Sequence, residues 1–143
     1  MALRQPAPRV VPRGPFAYRL QLRRFGPLMA LLVPLVALGV GAALLQWTGS
    51  SLRGFGGFLL TALAAPTMLL LGVPVVDGTP RYVVAGVTSL LFWLGIGAWA
   101  SSRAMRASVV ATWKDWWREY AWFIAPVWIG AAAAFAIAYR SVL

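Results

Sequence analysis

Four long intervals without a charged residue constrain this chain more than any other feature of its sequence. The charged residues that bound them are, in pairs, Arg24 and Arg53, Arg53 and Asp77, Arg81 and Arg103, and Glu119 and Arg140. Each interval holds about the 20 residues that a helix needs to cross a hydrocarbon core. Because lipid offers the backbone no hydrogen bonds, each crossing segment must be helical. The sequence therefore predicts an all-α integral membrane protein, a small bundle of four transmembrane helices at roughly 27–47, 55–76, 82–100 and 120–139.

The overall composition agrees with a membrane environment. Of the 143 residues, 61% are hydrophobic and 11% are charged, whereas about a quarter of a soluble domain is charged. The net charge of +10 comes from residues that flank the apolar segments, which predicts contact with membrane lipids and anionic headgroups and no nucleic acid partner. The excess of arginine over lysine favours a GC-rich bacterial genome, so we expect the inner (plasma) membrane of a bacterium.

The first 25 residues form a basic arm that contains six arginines and no acid. Four prolines between Pro6 and Pro15 prevent a continuous helix there, and residues 17–25 are expected to form a short helix before the first crossing. The excess of positive charge predicts that this Pro/Arg-rich arm is cytoplasmic. Residues 26–143 are expected to form a single transmembrane domain.

The segment 55–76 is the least certain crossing, because Gly54, Gly56, Gly57, Pro66 and Gly72 weaken a helix there. With four crossings, the cytoplasmic side holds eight basic residues and the far side five. If the segment is instead re-entrant, so that three helices cross, the cytoplasmic side holds ten basic residues and the far side three. The charge count favours three crossings and hydropathy favours four. We expect four, because the first helix and its flanks usually dominate orientation.

Residues 101–120 are the only place where charges of both signs gather. On a continuous helix over 103–118, one stripe is cationic and consists of Arg103, Arg106, Lys114 and Arg118. A second stripe consists of Met105, Val109, Thr112 and Trp116. This pattern predicts an amphipathic helix in the membrane interface, which would bind lipid or a partner through the four cations and through Trp113, Trp116 and Trp117. The alternative is a polar loop whose tryptophans belong to the ordinary aromatic belt.

Small residues spaced by four recur along the apolar segments and allow helix backbones to approach closely. They predict helix packing at Gly39, Gly41, Gly57, Gly130 and Ala134. Internal packing explains such stripes best, and a docking face for another protein is the alternative.

The chain contains no cysteine and no histidine, so no metal ligand set and no cofactor are predicted. No ionisable residue lies inside an apolar segment, which argues against a proton-coupled carrier. We therefore expect a non-enzymatic accessory subunit of a larger membrane complex. The alternatives are an oligomeric transport component and, with less support, a membrane enzyme acting on lipid-linked phosphate substrates.

Overall fold

A computed structural model describes residues 14–46, 51–71 and 78–140, and those three segments contain helices and no strand. This confirms the all-α prediction for that part of the chain. The helices, in chain order, are α1 (Gly14–Met29), α2 (Leu32–Gln46), α3 (Ser51–Ala64), α4 (Pro66–Leu70), α5 (Thr79–Ala107) and α6 (Trp113–Arg140).

Two helical stretches, Phe16–Gln46 and Thr79–Ala107, are long and apolar enough to cross a membrane. The first joins α1 and α2, and the second is α5. The four-crossing bundle is not confirmed. The predicted crossings at 82–100 and 120–139 lie within α5 and α6, whereas the predicted segment 55–76 is broken at Ala65 and extends beyond the described residues after Leu71.

Helix α1 packs against the C-terminal half of α5, and the two helices run in opposite directions. An Nη2 atom of Arg19 donates to the Met105 carbonyl at 2.7 Å, and Ser101 Oγ is 3.0 Å from the Leu22 carbonyl. Leu22 is fully buried in this contact. The predicted boundary between arm and transmembrane domain at residue 25 therefore falls inside α1. Residues 14–25 are part of the helical bundle, and residues 1–13 lie outside the described part.

The break between α1 and α2 is explained by Pro34. In a continuous helix, the carbonyl of Ala30 would accept a hydrogen bond from the N–H of residue 34, and proline has none. The hydroxyl of Tyr120 in α6 donates to this carbonyl instead, at 2.6 Å. A side chain from another helix thus pairs a backbone group that the proline leaves free.

A proline also stands at the break between α3 and α4. Pro66 begins α4, and the N–H of Met68 bonds to the Ala65 carbonyl at 3.0 Å rather than to that of Ala64. The indole Nε1 of Trp93 in α5 donates to the Ala64 carbonyl at 2.7 Å. Trp93 is 1% exposed, so this bond lies in the interior, where α4 packs on α5.

Helices α2 and α3 form an antiparallel pair that meets at two glycines. A Cβ atom on Gly41 would lie 2.9 Å from the Gly57 carbonyl oxygen, and one on Gly57 would lie 2.8 Å from that of Gly41. Only glycine permits so close an approach of the two backbones. In contrast, a Cβ on Gly39 or Gly130 would meet no atom within 4 Å, so these two glycines take no part in packing within the described chain. The side chain of Ala134 lies outside the described residues.

Candidate functional site: the junction between α5 and α6

The predicted interfacial helix over 103–118 is not a single helix. Helix α5 ends at Ala107, the next residue, Ser108, has extended backbone angles, and α6 begins at Trp113. We call residues 101–120 the junction. The cations that were placed on one stripe therefore belong to two antiparallel helices, and the second predicted stripe is also divided. Val109 is exposed in the connection, whereas Trp116 is fully buried.

The start of α6 is set by three reciprocal hydrogen bonds between Thr112 and Asp115. The backbone N–H and the hydroxyl of Thr112 both donate to Asp115 Oδ2, at 3.0 and 2.8 Å. In the other direction, the backbone N–H of Asp115 donates to Thr112 Oγ1 at 3.4 Å. This is a capping box, which pairs N–H groups that a helix N-terminus leaves free. The Thr112 donors hold the pKa of Asp115 below its ordinary value of 3.8. The Thr-x-x-Asp spacing was readable in the sequence and would have predicted the break.

The tryptophans of the junction form an internal aromatic cluster. Trp116 is 0% and Tyr120 is 1% exposed, and their rings stack with centroids 4.9 Å apart. Trp113 and Trp117 are half-buried and meet the Trp116 ring edge-on, at 5.9 and 4.9 Å. Trp116, which was predicted to bind lipid or a partner, presents no surface in this structure, because its ring is enclosed by α1, α5 and its own helix.

A hydroxyl links this cluster to the two neighbouring helices. The indole Nε1 of Trp116 donates to Ser101 Oγ at 3.0 Å, and Ser101 Oγ lies 2.8 Å from the Gly97 carbonyl and 3.0 Å from the Leu22 carbonyl. A Cβ on Gly26 would collide with Ser101 Oγ and lie 2.8 Å from Trp116 Nε1. The glycine in α1 thus creates the space that Ser101 and Trp116 fill. This long-range fit has no signature in the local sequence.

The four predicted cations have different surroundings. Arg103 Nε is 3.2 Å from Glu119 Oε2, which joins α5 to α6, and Arg118 lies 3.5 Å from Glu119 and 4.0 Å from Asp115. Arg106 and Lys114 are exposed and form no ion pair with any residue in the described segments. Of the four cations, only Arg103 therefore joins the two helices, Arg118 pairs within α6, and the other two form no ion pair in the described segments.

A cleft opens on the outer side of the junction, between the last turns of α5 and the first turns of α6. It has a volume of about 370 Å³ and is lined by Trp99, Arg103, Arg106, Ala107 and Glu119. The Trp99 ring rests on that of Phe123, with centroids 4.3 Å apart. The cleft thus combines an aromatic wall with two guanidinium groups and one carboxylate. That combination suits an amphipathic anion and offers no nucleophile.

A second polar cluster lies in the α4–α5 interface. Thr67 Oγ1 is 2.8 Å from the Ala85 carbonyl, 2.5 Å from Ser89 Oγ and 2.9 Å from Thr88 Oγ1. The sequence placed these three hydroxyls in apolar segments without predicting that they meet. They bond to one another and to α5 carbonyls, so the cluster ties α4 to α5 and offers no continuous polar path.

Comparisons of this chain with protein-family models, with curated proteins and with solved structures found no match. Function is therefore inferred from the chemistry and geometry of the junction and of the exposed helix faces.

Proposed function

We propose that this chain is an accessory subunit of a larger complex in the inner membrane of a bacterium, and that it acts as a helical scaffold rather than as an enzyme. The observation that carries this proposal is the division of α2 into two faces. Pro34, Ala37 and Gly41 are buried along one stripe, and Gly41 in that stripe contacts α3. The opposite face is exposed and includes Leu35, Val36 and Gly39.

This exposed face of α2 suits a partner helix. Since Gly39 has no side chain and no atom within 4 Å of its Cβ position, it leaves a shallow notch between large aliphatic side chains. Van der Waals contact at such notches drives helix association in lipid, where no hydrophobic force acts between helices. The core formed by α1, α5 and α6, with its paired carbonyls, would hold this face in a fixed orientation.

The geometry favours three membrane crossings over the four that the sequence predicted. Arg19 and Met105 lie in hydrogen-bonding contact, so the chain must be on the same side of the membrane at both positions. If α5 crosses once, an odd number of crossings must lie between Arg19 and Thr79. The stretch Phe16–Gln46 accounts for one.

Helix α3 has 14 residues, about 21 Å, which is too short for a core of about 30 Å. The chain then turns back, because Ala64 pairs with Trp93 whereas Thr67 in α4 pairs with Ala85, nearer the start of α5. We propose that α3 and α4 together are re-entrant.

The three-crossing arrangement also satisfies the charge rule. It places the N-terminal arm and the junction on one side, with ten of the basic residues, and it leaves Arg53, Arg81 and Arg140 on the other. Positive charge accumulates on the cytoplasmic side of membrane proteins. The N-terminus is therefore proposed to be cytoplasmic, as the sequence predicted, and the C-terminus to lie on the opposite side.

Reporter fusions at the N-terminus and after Arg140 test this topology. We expect the first to report a cytoplasmic location and the second a location across the membrane. Two reporters on the same side would favour four crossings, and they would contradict the inference that an odd number of crossings lies between Arg19 and Thr79.

Co-purification in a mild detergent, followed by mass spectrometry, tests the accessory role. We expect the tagged chain to carry a larger membrane protein at fixed stoichiometry. Gly39→Leu should release that partner, because the new side chain fills the notch on α2. Gly130→Leu is the matched control, because Gly130 also has open space at its Cβ position. A wild-type chain that purifies alone, or equal partner retention by both variants, would contradict the proposal.

A further inference from the structure

The cleft at the junction has a charge balance that favours one bound anion. Arg103 engages Glu119 through Nε, which leaves the two terminal amino groups of its guanidinium group as donors. Glu119 also lies 3.5 Å from Arg118, so its single negative charge is shared between two arginines. Arg106, the other cation that lines the cleft, has no ion-pair partner in the described segments. The cleft therefore carries a net positive charge.

Below the cleft, α5 presents a continuous exposed stripe toward the middle of the membrane. Trp99, Gly95 and Leu91 precede Arg103 at intervals of four, so they form one ridge, which turns about 40° around the helix at each step. Trp99 is 55% and Leu91 is 60% exposed, and a Cβ on Gly95 would meet no atom within 4 Å. The stripe thus begins with a cation, continues with an indole group and then offers a notch beside an aliphatic side chain.

The length of this stripe matches one leaflet of a bilayer. From Leu91 to Arg103 the helix rises over twelve residues, about 18 Å, and half of a hydrocarbon core is about 15 Å. The order of chemistry along the stripe is also that of a phospholipid, with the charged group at the surface and the apolar group below. Indole groups prefer the level between them.

We propose that this cleft is a binding site for one anionic phospholipid. The phosphate contacts the free donors of Arg103 and Arg106 by charge-assisted hydrogen bonds. The glycerol backbone lies against Trp99, and one acyl chain follows the groove at Gly95. The proposal rests on the membrane embedding proposed above, but it does not require the partner complex.

Native mass spectrometry of the full chain in detergent tests the site. The delipidated chain is offered phosphatidylglycerol or phosphatidylcholine with identical acyl chains, and the retained lipid is counted. We expect one retained phosphatidylglycerol and a clear preference over phosphatidylcholine. One surface cation near an anionic lipid is worth about 1 kcal/mol, so Arg106→Gln should lower phosphatidylglycerol retention roughly fivefold. Raising the ionic strength before the measurement should lower it as well.

Two further variants separate the site from a general charge effect. Arg81→Gln removes an exposed cation at the opposite end of α5 and should leave retention unchanged. Gly95→Leu fills the acyl groove, and it should lower retention without lowering the unfolding temperature, because the Cβ position of Gly95 has no atom within 4 Å and the site is exposed.

Several results would overturn the proposal. Equal retention of the two lipids by the wild-type chain would show that the net negative charge of the headgroup does not contribute to binding. Equal losses in Arg106→Gln and Arg81→Gln would make the effect one of total charge. If glycerol phosphate competes as strongly as the whole lipid, the acyl chain contributes nothing to binding and the groove at Gly95 is not part of the site. Partner capture that is lost in Arg106→Gln, with lipid retention unchanged, would reassign the cleft to protein docking. All lipid counts use the isolated chain, so a failure to find a partner does not affect them.

Discussion

Removal of one hydroxyl group, in Tyr120→Phe, should destabilise this protein more than any change to its surface charges. Tyr120 is buried, and its hydroxyl donates to the Ala30 carbonyl at 2.6 Å. That carbonyl has no helix donor, because residue 34 is a proline. Leaving a buried carbonyl unpaired costs about 1–3 kcal/mol, and measured hydrogen bonds between membrane helices reach about 1.7 kcal/mol. We therefore expect a loss of about 1.5 kcal/mol in the free energy of unfolding.

The role of Pro34 provides an internal test of this reasoning. Pro34→Ala restores a backbone N–H that can bond to the Ala30 carbonyl, so the Tyr120 hydroxyl becomes dispensable. In that background, Tyr120→Phe should cost less, and the double-mutant cycle should show a coupling of about 1 kcal/mol. The coupling isolates the hydrogen bond from any other effect of straightening the helix.

Reversible unfolding in mixed micelles, followed by circular dichroism, provides the free energies. Tyr82→Phe is the control, because Tyr82 is 40% exposed and should lose little. If Tyr120→Phe is as mild as the control, the carbonyl is not a stabilising partner. If Tyr120→Phe costs the same in the wild-type chain and in the Pro34→Ala variant, the proline is not the reason that the carbonyl needs a donor.

Two other predictions follow from the contacts of the described residues. Gly41→Ala should lower the free energy of unfolding by about 1–3 kcal/mol, because its Cβ would overlap the Gly57 carbonyl oxygen, which cannot move freely. Gly39→Ala should leave the free energy of unfolding unchanged or slightly higher. Equal losses in the two variants would contradict the close contact between α2 and α3 at Gly41. The pKa of Asp115 is lowered in the folded protein. The stabilisation that Asp115 gives to α6 is therefore complete at pH values above the ordinary carboxyl pKa, and it is lost as the pH falls through the lowered pKa of the folded state. Thermal unfolding of wild-type protein and Asp115→Asn, at neutral pH and at about pH 3, should therefore show a larger difference at neutral pH than in acid.

The helical class of this chain was predictable because it depends on a local property, the length of the intervals without charge. The predicted segments 82–100 and 120–139 lie inside α5 and α6, and both helices extend further into polar sequence. Those extra turns are stabilised by hydrogen bonds between helices, which a hydropathy pattern cannot predict. Arg19, for example, pairs the Met105 carbonyl near the C-terminus of α5, where no helix N–H remains.

The candidate site was predicted in composition but not in geometry. The cations at Arg103 and Arg106 do line a cleft together, as their spacing of three suggested. The prediction of one helix over 103–118 was wrong because hydrophobic period alone does not show where a helix begins, whereas the capping contacts of Thr112 and Asp115 start α6 there. The burial of Trp116 could not be predicted in this way, since it depends on Gly26, 90 residues earlier in the chain.

The aromatic residues of this protein have a role beyond the aromatic belt that their positions predict. Three carbonyls, of Ala30, Ala64 and Met105, lie where a helix breaks or ends, and each receives a donor from a different helix. The donors are Tyr120, Trp93 and Arg19. Ala30 and Ala64 are buried, so no water can pair their carbonyls, and each break is stabilised by the side chain that reaches it. It follows that the broken helices are a specified feature of the fold, held by interhelical hydrogen bonds rather than by the cationic stripe.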